Sequence, residues 1–386
     1  MNIKELIQQG ENSAVEFKAA DVRPESLAKE LVAFVNGQGG VVLVGVDDSG
    51  NIKGLKTDLN RPTEFCDWVA NILRTAVNPP INADVSVAQV DGKNIGVINV
   101  PKGTDKPYQT NAGQYLVRVG ATNRAASVQE LMRLFQQAGV FHVDANPVAG
   151  AGIKDLSLSS LDQYLTRYDL SLADDADHTA LLQNMDILTA EEPTIAGLLL
   201  FGINPQRFLP NACVSYAHFA GNTIDAELID KQVINGTLPE QIERALAVIT
   251  NNVAVSSNIQ GAKTEPTTMN YPQKVFRELI VNTVVHRNYS IVGSRIRILH
   301  FGDRIEFISP GRLPNTVSIQ KLPFGVSYAS NPIILKFLEN LRYVDKLGRG
   351  LPMVWQEAKK LMRKVTFEEI GEEFKVTLSL KSGSGN

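Results

Sequence analysis

The stretch RELIVNTVVHRNY, Arg277–Tyr289, sets a glutamate, an asparagine and a histidine into a run that is otherwise largely apolar. Read as a helix, it places Glu278, Asn282 and His286 at i, i+4 and i+8, on adjoining turns of one stripe. Such a stripe is either wetted surface or the wall of a site. A glutamate beside a phosphoryl centre orients water, and an asparagine carbonyl ligates Mg²⁺ without adding a charge, so one helix face presents the two groups a triphosphate requires. Further along, KLGRG at Lys346–Gly350 supplies the complement. Gly348 and Gly350 permit backbone N–H groups to approach phosphate, Lys346 and Arg349 add positive charge, and a helix beginning near Leu351 points its positive end at the same place. Each element alone also reads as ordinary structure: a solvated stripe, a turn, a packed His286.

Around these segments the chain alternates helix and strand. SRIRILHFG and DRIEFIS read as paired strands, Pro310-Gly311 as a turn, Pro332–Glu339 as a helix, and VTFEE with EFKVTLSL as a terminal hairpin. Upstream, Leu238–Val253 is a helix with Ile242, Leu246 and Ile249 on one face. The first 143 residues form a separate pattern. Helices are expected over Ser26–Asn36, Thr63–Ala76 and Val128–Ala138, strands at Val41–Val46 and Gln114–Gly120, and a hairpin about Asp91-Gly92. DANPVAGAG, Asp144–Gly152, is rich in small residues and turn formers. The expected organisation is a first domain at 1–143, a linker at 144–155 and a second domain at 156–386, in an α+β chain.

Composition narrows the function classes. A length of 386 residues with 44% apolar content suits a globular protein of two or three domains. The longest apolar runs, VVLVGV and IAGLLLFGI, are too short for a bilayer span, and no export leader is read, so a cytoplasmic protein without membrane contact is expected. Cys66 and Cys213 are most simply buried thiols. The net charge of −3 argues against coating nucleic acid by bulk electrostatics. The five histidines lack zinc spacing, and no Walker loop or nucleophile elbow is present, which makes helicase chemistry unexpected.

Taken together, RELIVNTVVHRNY, DRIEFISPGRLP, KLGRGLPMVW and PTIAGLLLFGINPQRFLP resemble the C-terminal module of bacterial proteins described as transcriptional regulators or RecG-like ATP-dependent helicases, distantly similar to the GHKL ATPase fold. The resemblance covers about Pro193–Leu380 and implies a GHKL-like α/β sandwich with ATP and Mg²⁺ as cofactors. Glu278 would activate water, Asn282 would hold Mg²⁺, and Lys346, Gly348, Arg349 and Gly350 would hold phosphates. One departure stands out. GHKL proteins carry D-x-G-x-G after the strand, its aspartate reading the adenine amino group, whereas here Ser309 occupies that place in ISPGRLP and Gly311 is the first matching glycine.

GENSAVEFKAA at Gly10–Ala20, AFVNGQGGVVLVGVDDSGNIKGL at Ala33–Leu55 and YLVRVGATNRAAS at Tyr115–Ser127 resemble the AlbA-2 domain, related to the Schlafen core, over about Glu11–Leu134. The resemblance implies a DNA-binding regulator, with Lys18, Arg118 and Arg124 as the candidate phosphate contacts because guanidinium and ammonium groups suit oxyanions. An alternative uses the same domain as a metal-dependent nuclease on RNA or DNA, with Glu11, Glu16 and Asp48 as an acidic trio holding the ion. Glu11 and Glu16 keep the five-residue interval of the Schlafen-type endoribonucleases. A third alternative is a non-catalytic interaction or dimerisation module. DNA is the favoured partner over RNA, and a homodimer is expected because closed symmetric pairing is common.

Overall fold

The computed structural model describes residues 2–56, 59–167, 178–258, 271–326, 328–344 and 348–381. The chain divides into two compact units, Met1–Val140 and Phe141–Asn386.

In the first unit α1 (Ile3–Gln9) precedes β1 (Val15–Lys18), α2 (Pro24–Asn36), β2 (Gly40–Val44) and α3 (Pro62–Thr75). There follow the two-residue β3 (Val77–Asn78), the hairpin β4 (Asp84–Val90) and β5 (Lys93–Val100), the short β6 (Gln109–Thr110), the hairpin β7 (Leu116–Val119) and β8 (Thr122–Ala125), and α4 (Val128–Gln137). The main sheet has order β1-β2-β5-β4, with β1 and β2 parallel and the other pairs antiparallel. The unbroken apolar run in β2 has a simple cause: both of its faces are covered. Val42 and Val44 pack with Leu27, Leu31 and Phe34 of α2 and with Phe65, Val69 and Ile72 of α3. Leu43, one residue out of phase, packs on the opposite face with Val15, Phe17, Ile95 and Val97, beneath Ile3, Leu6 and Ile7 of α1. Each such fully buried aliphatic or aromatic side chain contributes about 1.5–3 kcal/mol. Pro24 opens α2 where its missing N–H costs nothing, and Ser127 with Glu130 closes a capping box on α4.

In the second unit α5 (Leu158–Thr166), α6 (His178–Asn184), the short pair β9 (Leu188–Thr189) and β10 (Glu192–Pro193), and α7 (Ile195–Phe201) lead into β11 (Val214–Phe219), β12 (Leu228–Ile234) and the long α8 (Leu238–Asn258). After α9 (Gln273–Val285) come β13 (Ile296–His300), β14 (Arg304–Pro310), α10 (Pro332–Asn340), α11 (Gly350–Lys360) and the hairpin β15 (Val365–Ile370) and β16 (Glu373–Ser379). Six strands form one mixed sheet of order β12-β11-β13-β14-β16-β15, in which only β11 and β13 run parallel. Burial alternates along β11 and β13, and α8 and α9 pack against the sheet. Of the apolar run at 195–203, short of a bilayer span, Ile195–Phe201 form the wholly buried helix α7, and Ile203 beyond it is exposed. Among the described residues no helix is long and apolar enough to cross a membrane.

Residues 144–155, read from the sequence as a linker, are folded into the second unit. Val143–Ala145 and Ile153–Asp155 form short 3-10 turns. Asp144 is fully buried, its Oδ2 accepting the N–H groups of Ile333 and Ile334 at 2.8 and 3.1 Å, so a carboxylate from this stretch caps α10. Both cysteines are free, with Cys213 buried and Cys66 half-buried.

Candidate functional site

The polar stripe of α9 meets the glycine bend. Asn282 Nδ2 donates to Glu278 Oε1 at 2.6 Å and to the Glu278 carbonyl at 2.8 Å. A carboxylate only accepts, so this contact fixes which end of the amide is Nδ2 and makes Asn282 Oδ1 its acceptor end. Seventy residues later Gly350 begins α11, and a Cβ built there would stand 1.6 Å from Glu278 Oε1 and 2.2 Å from its Cδ. Only glycine fits. Gly348 takes the left-handed φ of +61°, and a Cβ on Gly325 would lie 2.9 Å from its carbonyl oxygen. The bend is thus held between α9 and the connection that follows β14. Glu278 therefore sits against the opening turn of α11, the place where the resemblance puts phosphate. Arg349 is exposed beside it, and Lys346 lies outside the described residues.

Behind these groups, Ser309 Oγ donates to the Thr283 carbonyl at 2.8 Å, and Asn288 N–H donates to the Pro310 carbonyl at 2.7 Å, which ties the end of β14 to α9. His286 closes α9, and burial lowers its imidazole to about 4, so it is neutral at pH 7. A cleft of about 500 Å³ lies elsewhere in this unit, lined by Ser157, Tyr164, Arg167, Phe201 and Tyr343, and includes none of Glu278, Asn282, Gly348 or Gly350.

The first unit places its candidates differently. Lys18 and Arg118 do not face solvent as phosphate contacts. Arg118 has a side chain only 3% exposed, donates to Glu16 Oε2 at 2.7 Å and to the Asn12 carbonyl at 2.6 Å, and lies 4.4 Å over the Phe34 ring. Lys18 pairs with Glu16 and, at 3.1 Å, with Glu30, which also stands 3.6 Å from Arg118 and accepts from Asn123. Burial by itself would lower the Lys18 ammonium, but the two carboxylates outweigh it and hold it above its ordinary value. Glu30, unremarked in the sequence, completes this four-charge network, in which Glu16 and the Arg118 side chain are buried and Lys18 and Glu30 partly so. Its signal was only a glutamate at the inner edge of an amphipathic helix.

Nor does the structure assemble the acidic trio. Glu16 is consumed by two cations, Glu11 Oε1 accepts the Phe17 N–H at 2.9 Å, and Asp48 is exposed in a turn whose bonds go to Asp47. Among the described residues no group of three His, Cys, Asp or Glu side chains could hold a metal ion. Arg124 remains half-exposed, gripped by both oxygens of Glu130 at 2.7 Å, and that ion pair with the Ser127 cap holds the Glu130 carboxyl down to about 2. Asn36, at the end of α2, crosslinks the Tyr108 and Leu116 backbones from within the core.

The structure also reveals a polar chain that spacing did not disclose. The rings of His218 and His300, paired across β11 and β13, stack at 4.0 Å. His218 Nδ1 meets Asn252 Oδ1 at 2.8 Å, Asn252 Nδ2 donates to Asp230 at 2.9 Å, and the Tyr216 hydroxyl meets His300 Nδ1 at 2.8 Å. Burial, then the neighbouring His218, lowers His300 to about 3, so it too is neutral.

The family model "Schlafen, AlbA_2" matches residues 11–127, and the model "Putative ATP-dependent DNA helicase recG C-terminal" matches residues 293–378. The second match includes Gly348 and Gly350 and begins after α9. Among solved structures, the DIP2311 protein from Corynebacterium diphtheriae is 21% identical with a TM-score of 0.47, over 98% of this chain and 68% of that one. The N-terminal domain of a RecG-related helicase protein from Nitrosomonas europaea is 25% identical with a TM-score of 0.26, over 33% of this chain and 95% of that one. No curated protein matches. The chain thus carries a Schlafen AlbA_2-type domain followed by a module of the RecG C-terminal type.

Proposed function

We propose that this protein is a DNA-associated regulator whose second unit is a nucleotide-responsive, ATPase-like module. One observation carries the nucleotide half: Gly350 packs directly on the Glu278 carboxylate, with Asn282 one turn along the same helix. Two segments that are distant in sequence thereby form one wall of acceptor, carboxylate and backbone. Asn282 Oδ1, a neutral oxygen with its amide locked by Glu278, suits Mg²⁺, which when bound would neutralise phosphate charge. Gly348 and Gly350 would bring backbone N–H groups to the phosphates, Lys346 and Arg349 would supply cationic charge, and Glu278 would position water.

The same contact has a chemical consequence. Glu278 occupies the opening of α11, so an incoming phosphate meets a carboxylate at that point and the two repel. Phosphate entry requires Glu278 to swing aside. The reading therefore expects Glu278→Ala to bind Mg²⁺-ATP at least as tightly as the natural chain while hydrolysing none, and Asn282→Ala to lose Mg²⁺-dependent affinity. Unchanged affinity in Asn282→Ala, followed by titration calorimetry, removes the metal role.

DNA association is supported by the match of the first unit to the Schlafen AlbA_2 model. With Lys18 and Arg118 committed internally, phosphate contacts fall to exposed cations outside that network, including Arg23 and Lys29 at the start of α2 and the half-exposed Arg124. A chain of net charge −3 binds DNA by a local surface, so affinity should fall steeply with salt. A salt series on duplex DNA, with and without Mg²⁺-ATP, tests both halves. Salt-independent binding, or binding that Mg²⁺-ATP leaves unmoved, counts against the coupled reading.

A further inference from the structure

The step from α11 into β15 concentrates positive charge. In a chain of net charge −3, KKLMRK at Lys359–Lys364 places four cations in six residues. The fold adds a fifth. The Lys364 carbonyl accepts the Ser379 N–H at 3.0 Å, and Ser379 Oγ donates to the Lys381 carbonyl at 2.9 Å, so the exposed Lys381 leaves the sheet beside the exposed Lys364. Little negative charge answers them. Lys360 shares the Glu357 carboxylate with Lys274, at 3.2 and 2.8 Å, and among the described residues Lys359, Lys364 and Lys381 make no ion pair. The carboxylates of the β15–β16 hairpin lie toward its turn and are engaged there, Glu368 with Lys375, Glu372 with Arg312 and Glu373 with Arg297. Cations in a last helical turn complement the helix dipole, which accounts for Lys359 and Lys360. It does not account for Lys364 or Lys381, which stand outside the helix.

An aromatic ladder ends on the same surface. Phe374 stacks on Phe367 and Phe367 on Trp355, each pair with ring centroids 6.4 Å apart and planes tilted by 10° and 19°. The middle ring is buried, whereas Trp355 is 40% exposed. Trp355 and Lys359 are i and i+4 on α11, so one helix face sets an indole and an ammonium a turn apart, and Met362, 75% exposed at φ +52°, follows them. An aromatic plane open to solvent among unanswered ammonium groups matches a polyanion that carries flat rings. In a duplex each base is already stacked on both sides, so only an unpaired base presents a free face to Trp355. We infer that this surface binds single-stranded nucleic acid, a base extending the ladder on Trp355 and flanking phosphates meeting Lys359, Lys364 and Lys381. The site belongs to the second unit and does not rest on the DNA contacts read on the first. An anionic membrane would also draw the lysines, but it requires a continuous apolar face, and α11 buries Val354 and Ala358 on its other side.

The test reads Trp355 directly. The chain has two tryptophans, so Trp68→Phe in the full chain leaves Trp355 as the fluorescent reporter. Oligothymidylate, duplex DNA and phosphatidylserine vesicles are titrated in turn, with thermal melting as the folding control. The expected result is quenching of Trp355 by oligothymidylate. Trp355→Leu, followed by the anisotropy of a labelled oligothymidylate, should weaken binding about 5-fold or more, and Trp355→Phe should keep most of the affinity. Lys359→Ala combined with Lys364→Ala should lower the salt slope for oligothymidylate by about 1 to 1.5. Oligothymidylate binding unchanged in folded Trp355→Leu, or a salt slope unchanged in the double lysine variant, overturns the proposal. Quenching by vesicles and not by oligothymidylate overturns it in favour of a lipid surface. Duplex binding without oligothymidylate binding overturns it while leaving the DNA reading of the first unit intact, and binding of neither overturns both.

Discussion

The two units handle charge in opposite ways. In the first, Lys18 and Arg118 are closed upon Glu16 and Glu30, so the cations that invited a phosphate reading are already neutralised in the interior. In the second, the polar stripe of α9 meets backbone: Glu278 lies against Gly350, and Asn282 keeps an acceptor to offer. The difference shows which sequence signals survive folding. A cation's role depends on which carboxylates the fold brings to it, whereas a glycine's role is steric and follows from having no Cβ.

The contrast can be broken most severely at Arg118. Arg118→Ala leaves Glu16 and Glu30 buried without their principal partner and should cost about 3–5 kcal/mol of stability, read as a lowered denaturation midpoint. A stable variant with weakened DNA binding would instead return Arg118 to the surface. Next comes acid. His286 and His300 are neutral when folded, at about 4 and about 3 against 6.5 ordinarily. Below pH 6.5 the unfolded chain takes up protons that the folded chain refuses, so stability present above 6.5 drains away as pH falls toward 4. For His286 the loss is about 3 kcal/mol, and melting curves across that window should show the second unit failing first.

Gly350→Ala follows, at about 1–3 kcal/mol for forcing a methyl into the Glu278 carboxylate. Adding Glu278→Ala should recover most of that loss, and strict additivity in the double-mutant cycle would deny the contact. Alkali acts on the other unit. Lys18 is held above its ordinary 10.5 by Glu16 and Glu30, so its stabilisation is complete below 10.5 and is lost as pH rises past the folded value. The first unit should weaken in base, and Lys18→Met should abolish that dependence. The smallest effect belongs to Arg124, whose exposed pair with Glu130 is solvent-screened. Arg124→Ala should leave the melting temperature unmoved and, if the side chain touches DNA, lower the salt slope of binding by about 1.

Much of the architecture was readable from local pattern. The helix expected over 26–36 spans Pro24–Asn36, that over 63–76 spans Pro62–Thr75, and the hairpin about Asp91-Gly92 joins β4 to β5. Helical periodicity, proline starts and a tight turn are properties of a few neighbouring residues, which is why they can be read locally. The stretch 144–155 misled for the converse reason. Its small residues suggest a linker, but Asp144 answers the unpaired N–H groups of Ile333 and Ile334, and that demand is visible only from the other end of the unit.

By itself the sequence determined the helices at 26–36 and 63–76, the hairpin about Asp91-Gly92, the glycines at 348 and 350, and the one-turn spacing that lets Asn282 reach Glu278, because backbone preference and helical pitch act over a few residues. Only the tertiary structure decided that Arg118 spends itself on Glu16 across a hundred residues and that Glu278 rests on Gly350. Charge and hydrogen bonding are satisfied by whichever partner the folded chain delivers, and that delivery depends on the packing of the whole unit.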